Sequence, residues 1–119
     1  MAQSHAQSGQ VVSLLPLAAG LADARTTAIL KAEQLELVRI VLHAGQSFRE
    51  HRVAGEITVL CIEGHIEFST PAGVHLLTPG DLIHLRGDEA HALHALTNAS
   101  ALLTICIAAP MPSMHAASP

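Results

Sequence analysis

Nine histidines, ten acids and two cysteines are the residues of this 119-residue chain that could hold a metal, move a proton or attack an electrophile. Metal chemistry needs donors that converge: typically three protein groups and an open position for zinc, or two histidines and a carboxylate on one face for non-haem iron. A count of histidines is not convergence, and most of these have surface accounts. His5 and His115 fall in the terminal segments, His65 and His75 flank a hairpin, and His43 stands just before Gly45 as a surface or interface residue. His91 and His94 are three apart, so in a regular strand they face opposite ways. Cys61 and Cys106 lie inside apolar runs, away from any CxxC spacing, and read as buried free thiols rather than a disulfide. The sequence contains no Ser/His/Asp array, phosphate loop or pair of catalytic carboxylates.

The elements that must position these groups are strands. Gly and Pro punctuate the text about every ten residues, which suits a sandwich or barrel better than a helical bundle. Leu35 to His43 is rich in aliphatic and β-branched residues and stops at Ala44-Gly45, as a strand running into a turn would. Ile57 to Phe68 is divided by Gly64 into two strands or bulged there. Thr70-Pro71-Ala72-Gly73 turns the chain into Val74 to Leu77, and Thr78-Pro79-Gly80-Asp81 turns it again into Leu82 to Leu85. After the turn Arg86 to Glu89, His91 to Leu96 and Ala101 to Ile107 close the series. The helical candidate, Leu17 to Ala24, is alanine-rich but interrupted by Gly20. The domain is expected over residues 11–109, between flexible tails at 1–10 and 110–119 that lack apolar periodicity or carry several prolines.

Composition narrows the partners. The formal charge of −4, with six basic residues placed singly, leaves no Lys/Arg stripe for nucleic acid. No apolar run approaches the roughly 18 residues of a membrane span. Val11 to Ala22 is not read as a secretion signal, since no Lys or Arg precedes it and Pro16 interrupts it. Free thiols fit a cytoplasmic location. Charged residues make up 13% of the chain. Soluble domains average roughly 25%. Some apolar surface is therefore expected to be covered by a second copy, as a homodimer.

From about Leu35 to Ile107 the chain resembles the cupin superfamily, in particular its small, single-domain, RmlC-like members. Gly45, His51 and Gly64 occupy their places in the first motif of that family, and Gly80 and His91 have the separation of the second, with Gly87 one place early. The resemblance implies an all-β fold, a double-stranded β-helix (jelly-roll) barrel. It also locates the departures. Val53 stands where a second histidine would be, Ile57 where the glutamate falls, and Ala95 in place of the asparagine. Glu56 is one residue early, and strand alternation points it to the opposite face unless Gly55 permits a bulge.

What the resemblance implies is a pocket framed by His51, Val53, Ile57 and His91 that binds a small organic molecule, with a weak or degraded metal site and no assignable reaction. His51 and His91 are the metal candidates by position, with a third donor from Glu56 or His84, and the ion a single divalent Zn, Ni, Fe or Mn. Without metal, two imidazoles at the mouth of an apolar cavity suit orienting a small carboxylate or general acid–base work. The competing expectations are a metal-dependent dioxygenase or isomerase, and a metal-free sensing or structural module; the fold does not choose among them.

Overall fold

A computed structural model describes residues 5–107, apart from the side chains of Glu50 and His51. The expected C-terminal tail at 110–119 lies outside the described residues, as do residues 1–4 of the N-terminal one. The described residues form nine strands: β1 (Thr27–Lys31), β2 (Leu35–Leu42), β3 (Ser47–His51), β4 (Ile57–Glu63), β5 (Ile66–Thr70), β6 (Gly73–Leu77), β7 (Leu82–Leu85), β8 (His91–Ala95) and β9 (Ala99–Cys106). A 3-10 helix, Ala18–Asp23, occupies the alanine-rich stretch. It stays short because Gly20 weakens it and no side chain caps its start.

The strands pair antiparallel into a five-stranded sheet, β1-β2-β9-β4-β7, and a four-stranded sheet, β3-β8-β5-β6. Alternation decides which side of each strand is buried. In β4, Ile57, Val59 and Cys61 point into the core while Thr58, Leu60 and Ile62 point away, and β8 buries His91, Leu93 and Ala95 in the same rhythm. With so few aromatics, the core rests on aliphatic side chains packed around Phe68, which has no exposed surface. On the edge strands β6 and β7, Val74, Leu76 and Leu82 remain exposed.

Alternation breaks at defined places. Between Cys61 and Glu63 the β4–β9 register slips by one residue, so Glu63 comes opposite Ser100. Without that bulge Glu63 would follow Cys61 into the core; with it, the carboxylate reaches the outer face of the larger sheet. There it accepts the Leu17 and Ala18 backbone N–H groups at 3.0 and 3.1 Å and the Ser100 hydroxyl at 2.5 Å. These bonds, with buried Leu21 and the Ala6 N–H donating to Ile29 O at 2.8 Å, lay the N-terminal segment across the sheet.

Partial desolvation acts to raise the Glu63 pKa, but the hydrogen bonds from Ser100, Leu17 and Ala18, together with the field of Arg39, outweigh it and hold the carboxyl below its ordinary 4.5. The folded-state value is thus lower than the unfolded one. The stabilisation is fully present above the ordinary value and is lost as pH falls through the folded-state value. Hydrogen exchange should find the Leu17 and Ala18 amides protected near about pH 6 and opening only as acid titration falls below the ordinary carboxyl range, through the lowered folded-state value. Glu63→Gln should remove that pH dependence; protection that persists unchanged in acid would show that the carboxylate is not the latch.

Candidate functional site

The two histidines that the sequence singles out sit on adjacent strands of the smaller sheet. β3 and β8 start in regular register, with Ser47 opposite His94 and Phe48 opposite Leu93. The register then slips by one, and His51 comes opposite His91. Phe48 and His51 are three residues apart and would take opposite faces of a regular strand. The extra residue in β3 restores His51 to the register position of the face on which Phe48 and Leu93 pack against the core.

His91 is only 3% exposed. Its Nδ1 lies 3.1 Å from the backbone oxygen of Glu89. A carbonyl only accepts, so Nδ1 carries the proton, and in the neutral ring Nε2 is the nitrogen with the lone pair. The ring also lies flat against Phe68, with centroids 5.6 Å apart and planes within 4°. A backbone acceptor and an aromatic wall together fix both the tautomer and the plane of the imidazole. Neither partner was singled out from sequence. Phe68 was visible as one of two aromatics, but its pairing with His91 depends on β5 lying beside β8.

Val53 is half-buried against the core, and its carbonyl accepts the Asp88 N–H at 2.8 Å. This ties the β3–β4 loop to the turn before β8. Ile57, 3% exposed, stands opposite Leu85 and Ile105 inside the barrel, and Ala95 is fully buried in β8. The apolar replacements are therefore built into the interior wall. Glu56 and His84 lie elsewhere. His84 is opposite Thr58 on the outward side of the larger sheet, and its Nε2 is 3.4 Å from a Glu56 carboxylate oxygen, both side chains being more than half exposed. No room exists for a side chain at Gly55, where a Cβ would collide with the Cys106 carbonyl oxygen. Cys61 does point inward, but burial first, and then the charges of Asp81 and Glu63, push its thiol up to about 11. It stays protonated and donates to Gly64 O at 3.4 Å. Among the described residues no three His, Cys, Asp or Glu side chains converge as a metal site.

Glu89, whose carbonyl holds His91, also lines a cavity of about 540 Å³ between β6 and β7, together with Thr70, His75 and Leu85. The arrangement holds an imidazole of fixed tautomer and plane inside an aliphatic barrel.

No family model matches the chain, and no curated protein matches it in sequence. Solved structures do match. A cupin superfamily protein from Desulfitobacterium hafniense is 17% identical with a TM-score of 0.67, over 70% of this chain and 76% of that one. An RmlC-like cupin with a double-stranded β-helix fold from Methanocaldococcus jannaschii is 13% identical with a TM-score of 0.63, over 71% and 83% of the two chains. The DMSP lyase DddQ from Ruegeria pomeroyi is 19% identical with a TM-score of 0.61, over 68% of this chain but 42% of the lyase. Two antiparallel sheets closed around an aliphatic core, and these likenesses, give the chain the double-stranded β-helix fold of the RmlC-like cupins.

Proposed function

We propose that this chain is a cupin-fold binding protein for a small polar organic molecule, held at the His51–His91 position of the smaller sheet. The observation that carries the reading is the β3 bulge, which brings His51 into register with an imidazole whose tautomer and plane are already fixed. Exposed Val74, Leu76 and Leu82 on the edge strands support a homodimer as the working unit. The donor set favours hydrogen bonding over a resident metal centre: Val53, Ile57 and Ala95 are apolar, and Glu56 and His84 engage each other on the outer surface. A divalent ion at this position would have two imidazoles to hold it, and two such donors bind weakly.

The test adds the donor that is missing. Ile57 is too deeply buried to accept a carboxylate without a large loss of stability. Val53 is only half-buried, so Val53→His is the substitution the fold should tolerate. Calorimetry should find weak zinc binding in the wild type and a gain of well over tenfold, about 1.4 kcal/mol, in Val53→His. That gain should vanish when His91→Ala is added. Titration with lactate, a small hydroxy acid, should shift the His91 ring resonances, and the response should be lost in His51→Ala. Tight wild-type zinc binding that survives His91→Ala, or an unmoved His91 ring at saturating lactate, would overturn the reading.

A further inference from the structure

Arg39 is the buried charged residue that the site above does not use. It sits on β2 opposite Thr27 and Leu102, and alternation turns it away from Ile40 and the core to the outer face of the larger sheet. The N-terminal segment crosses above it, leaving the residue only 9% exposed. Its Nη1 is sealed from solvent without a hydrogen-bond partner. The nearby acid that could neutralise it, Glu63, is already committed to the Leu17 and Ala18 N–H groups and the Ser100 hydroxyl. A guanidinium with one sealed donor unpaired, beside a carboxylate whose oxygens already serve three other donors, retains capacity for an acceptor.

Beside it lies a cavity of about 560 Å³ between the N-terminal segment and the sheet. Small-molecule sites commonly span about 300–1,000 Å³. Its lining includes Arg39 and Arg25 and contains no acidic residue, while Val12, Leu17 and Ile29 supply apolar wall. Two cations on a lining without acids favour an anion. The aliphatic wall selects for one that carries a hydrocarbon body, which an inorganic ion does not. Guanidinium is suited to carboxylate, whose two oxygens match its fork.

We propose that this cavity is a second binding site, separate from the His51–His91 position, that takes a small aliphatic carboxylate with its head group on Arg39 and its tail against Val12 and Ile29. Binding there bridges the N-terminal segment to β1 and β2.

The full chain should be titrated with hexanoate, 1-hexanol and inorganic phosphate, followed by calorimetry and by methyl NMR of Val12 and Ile29. Hexanoate should saturate and shift both methyl groups, with hexanol and phosphate weaker by about tenfold or more. Arg39→Met should weaken hexanoate by at least about tenfold, and His91→Ala should leave it unchanged. If Arg39→Met does not fold, Val12→Trp, which fills the cavity from a partly exposed position, should produce the same loss. Phosphate binding as tight as hexanoate would overturn the assignment of an aliphatic ligand. Hexanoate binding that survives Arg39→Met, or that moves the His91 ring instead of Val12 and Ile29, would overturn the site itself.

Discussion

Phe68→Ala is expected to remove about 3–5 kcal/mol of stability, the cost of deleting a fully buried aromatic ring. Domains of this kind are stable by about 5–15 kcal/mol in total, so the variant should sit close to unfolding. The size of the effect follows from composition as much as from position. The chain has two phenylalanines and no Trp or Tyr, and Phe68 is the largest of its fully buried side chains. Aliphatic neighbours such as Ile66 and Leu93 cannot collapse into the space without leaving their own contacts. The ring is also the wall on which His91 lies, so its loss should loosen the imidazole as well as the core. Phe68→Leu separates the two effects: it keeps most of the volume and should cost about 1–1.5 kcal/mol, while removing the stacked wall. Urea unfolding monitored by circular dichroism gives the energies, and the His91 ring resonances give the order of the side chain. A loss below about 1 kcal/mol for Phe68→Ala would contradict the packing described.

The second large effect is expected at Gly64, between β4 and β5. Its φ is +79°, a conformation that side-chain-bearing residues adopt only with strain. Space is denied as well: a Cβ there would strike the Asn98 carbonyl oxygen and come within 2.7 Å of Ala99 Cα. Those atoms are backbone, in the β8–β9 turn and at the start of β9, and cannot rotate out of the way. Gly64→Ala should therefore cost the roughly 1–2 kcal/mol of left-handed strain plus the displacement of a turn. The total should reach about 3–4 kcal/mol. Gly45→Ala is the control, because it shares the positive φ, +86°, but has nothing within 4 Å of the added carbon. Its loss should stop at the strain alone. Equal losses in the two variants, measured by urea midpoint, would show that the close approach at Gly64 contributes nothing.

Gly45 and Gly64 are among the residues that carry the motif resemblance, and they are the part of the sequence whose meaning is local: a turn needs its φ whatever lies across the barrel. The strands from β4 to β7, and β2, were legible for a related reason, since their apolar runs end at or just before Gly or Pro, while β8 and β9 were read from apolar runs divided by Thr97-Asn98. β1 and β3 were not. β1 slips register between Ala28 and Leu30, and β3 between Phe48 and His51, so neither carries a period of two that could be read from residue types. Both are edge strands, and β3 is mostly polar. The pocket position of His91 was implied by the motif resemblance, and alternation turned Glu56 to the opposite face only if Gly55 permitted no bulge. The placement of His84 required the β4–β7 register, because alternation does not carry across the turn at Arg86 to Glu89. The Glu63 latch and the buried Arg39 were illegible for a different reason. Each depends on a segment far along the chain folding back over the outer sheet, and nothing within a few residues of Glu63 or Arg39 announces it.

The central pairing of the larger sheet also governs the order in which the protein can assemble. β2 lies along the whole of β9, with Leu35 opposite Cys106 and Leu42 opposite Ala99. A nascent chain emerging from the ribosome N-terminus first therefore presents β2 long before its partner exists. The β5–β6 hairpin, by contrast, closes over a turn of two residues and can form as soon as it appears. β4 and β7 also wait, since β9 is the strand that joins them to β1 and β2. The strand that completes the larger sheet is thus the last of the nine to emerge, and until then apolar β2 and β4 each keep an open edge exposed to other chains. A topology dominated by such distant contacts closes slowly once release occurs, because the entropy of ordering most of the chain is lost before the pairing that compensates it can form.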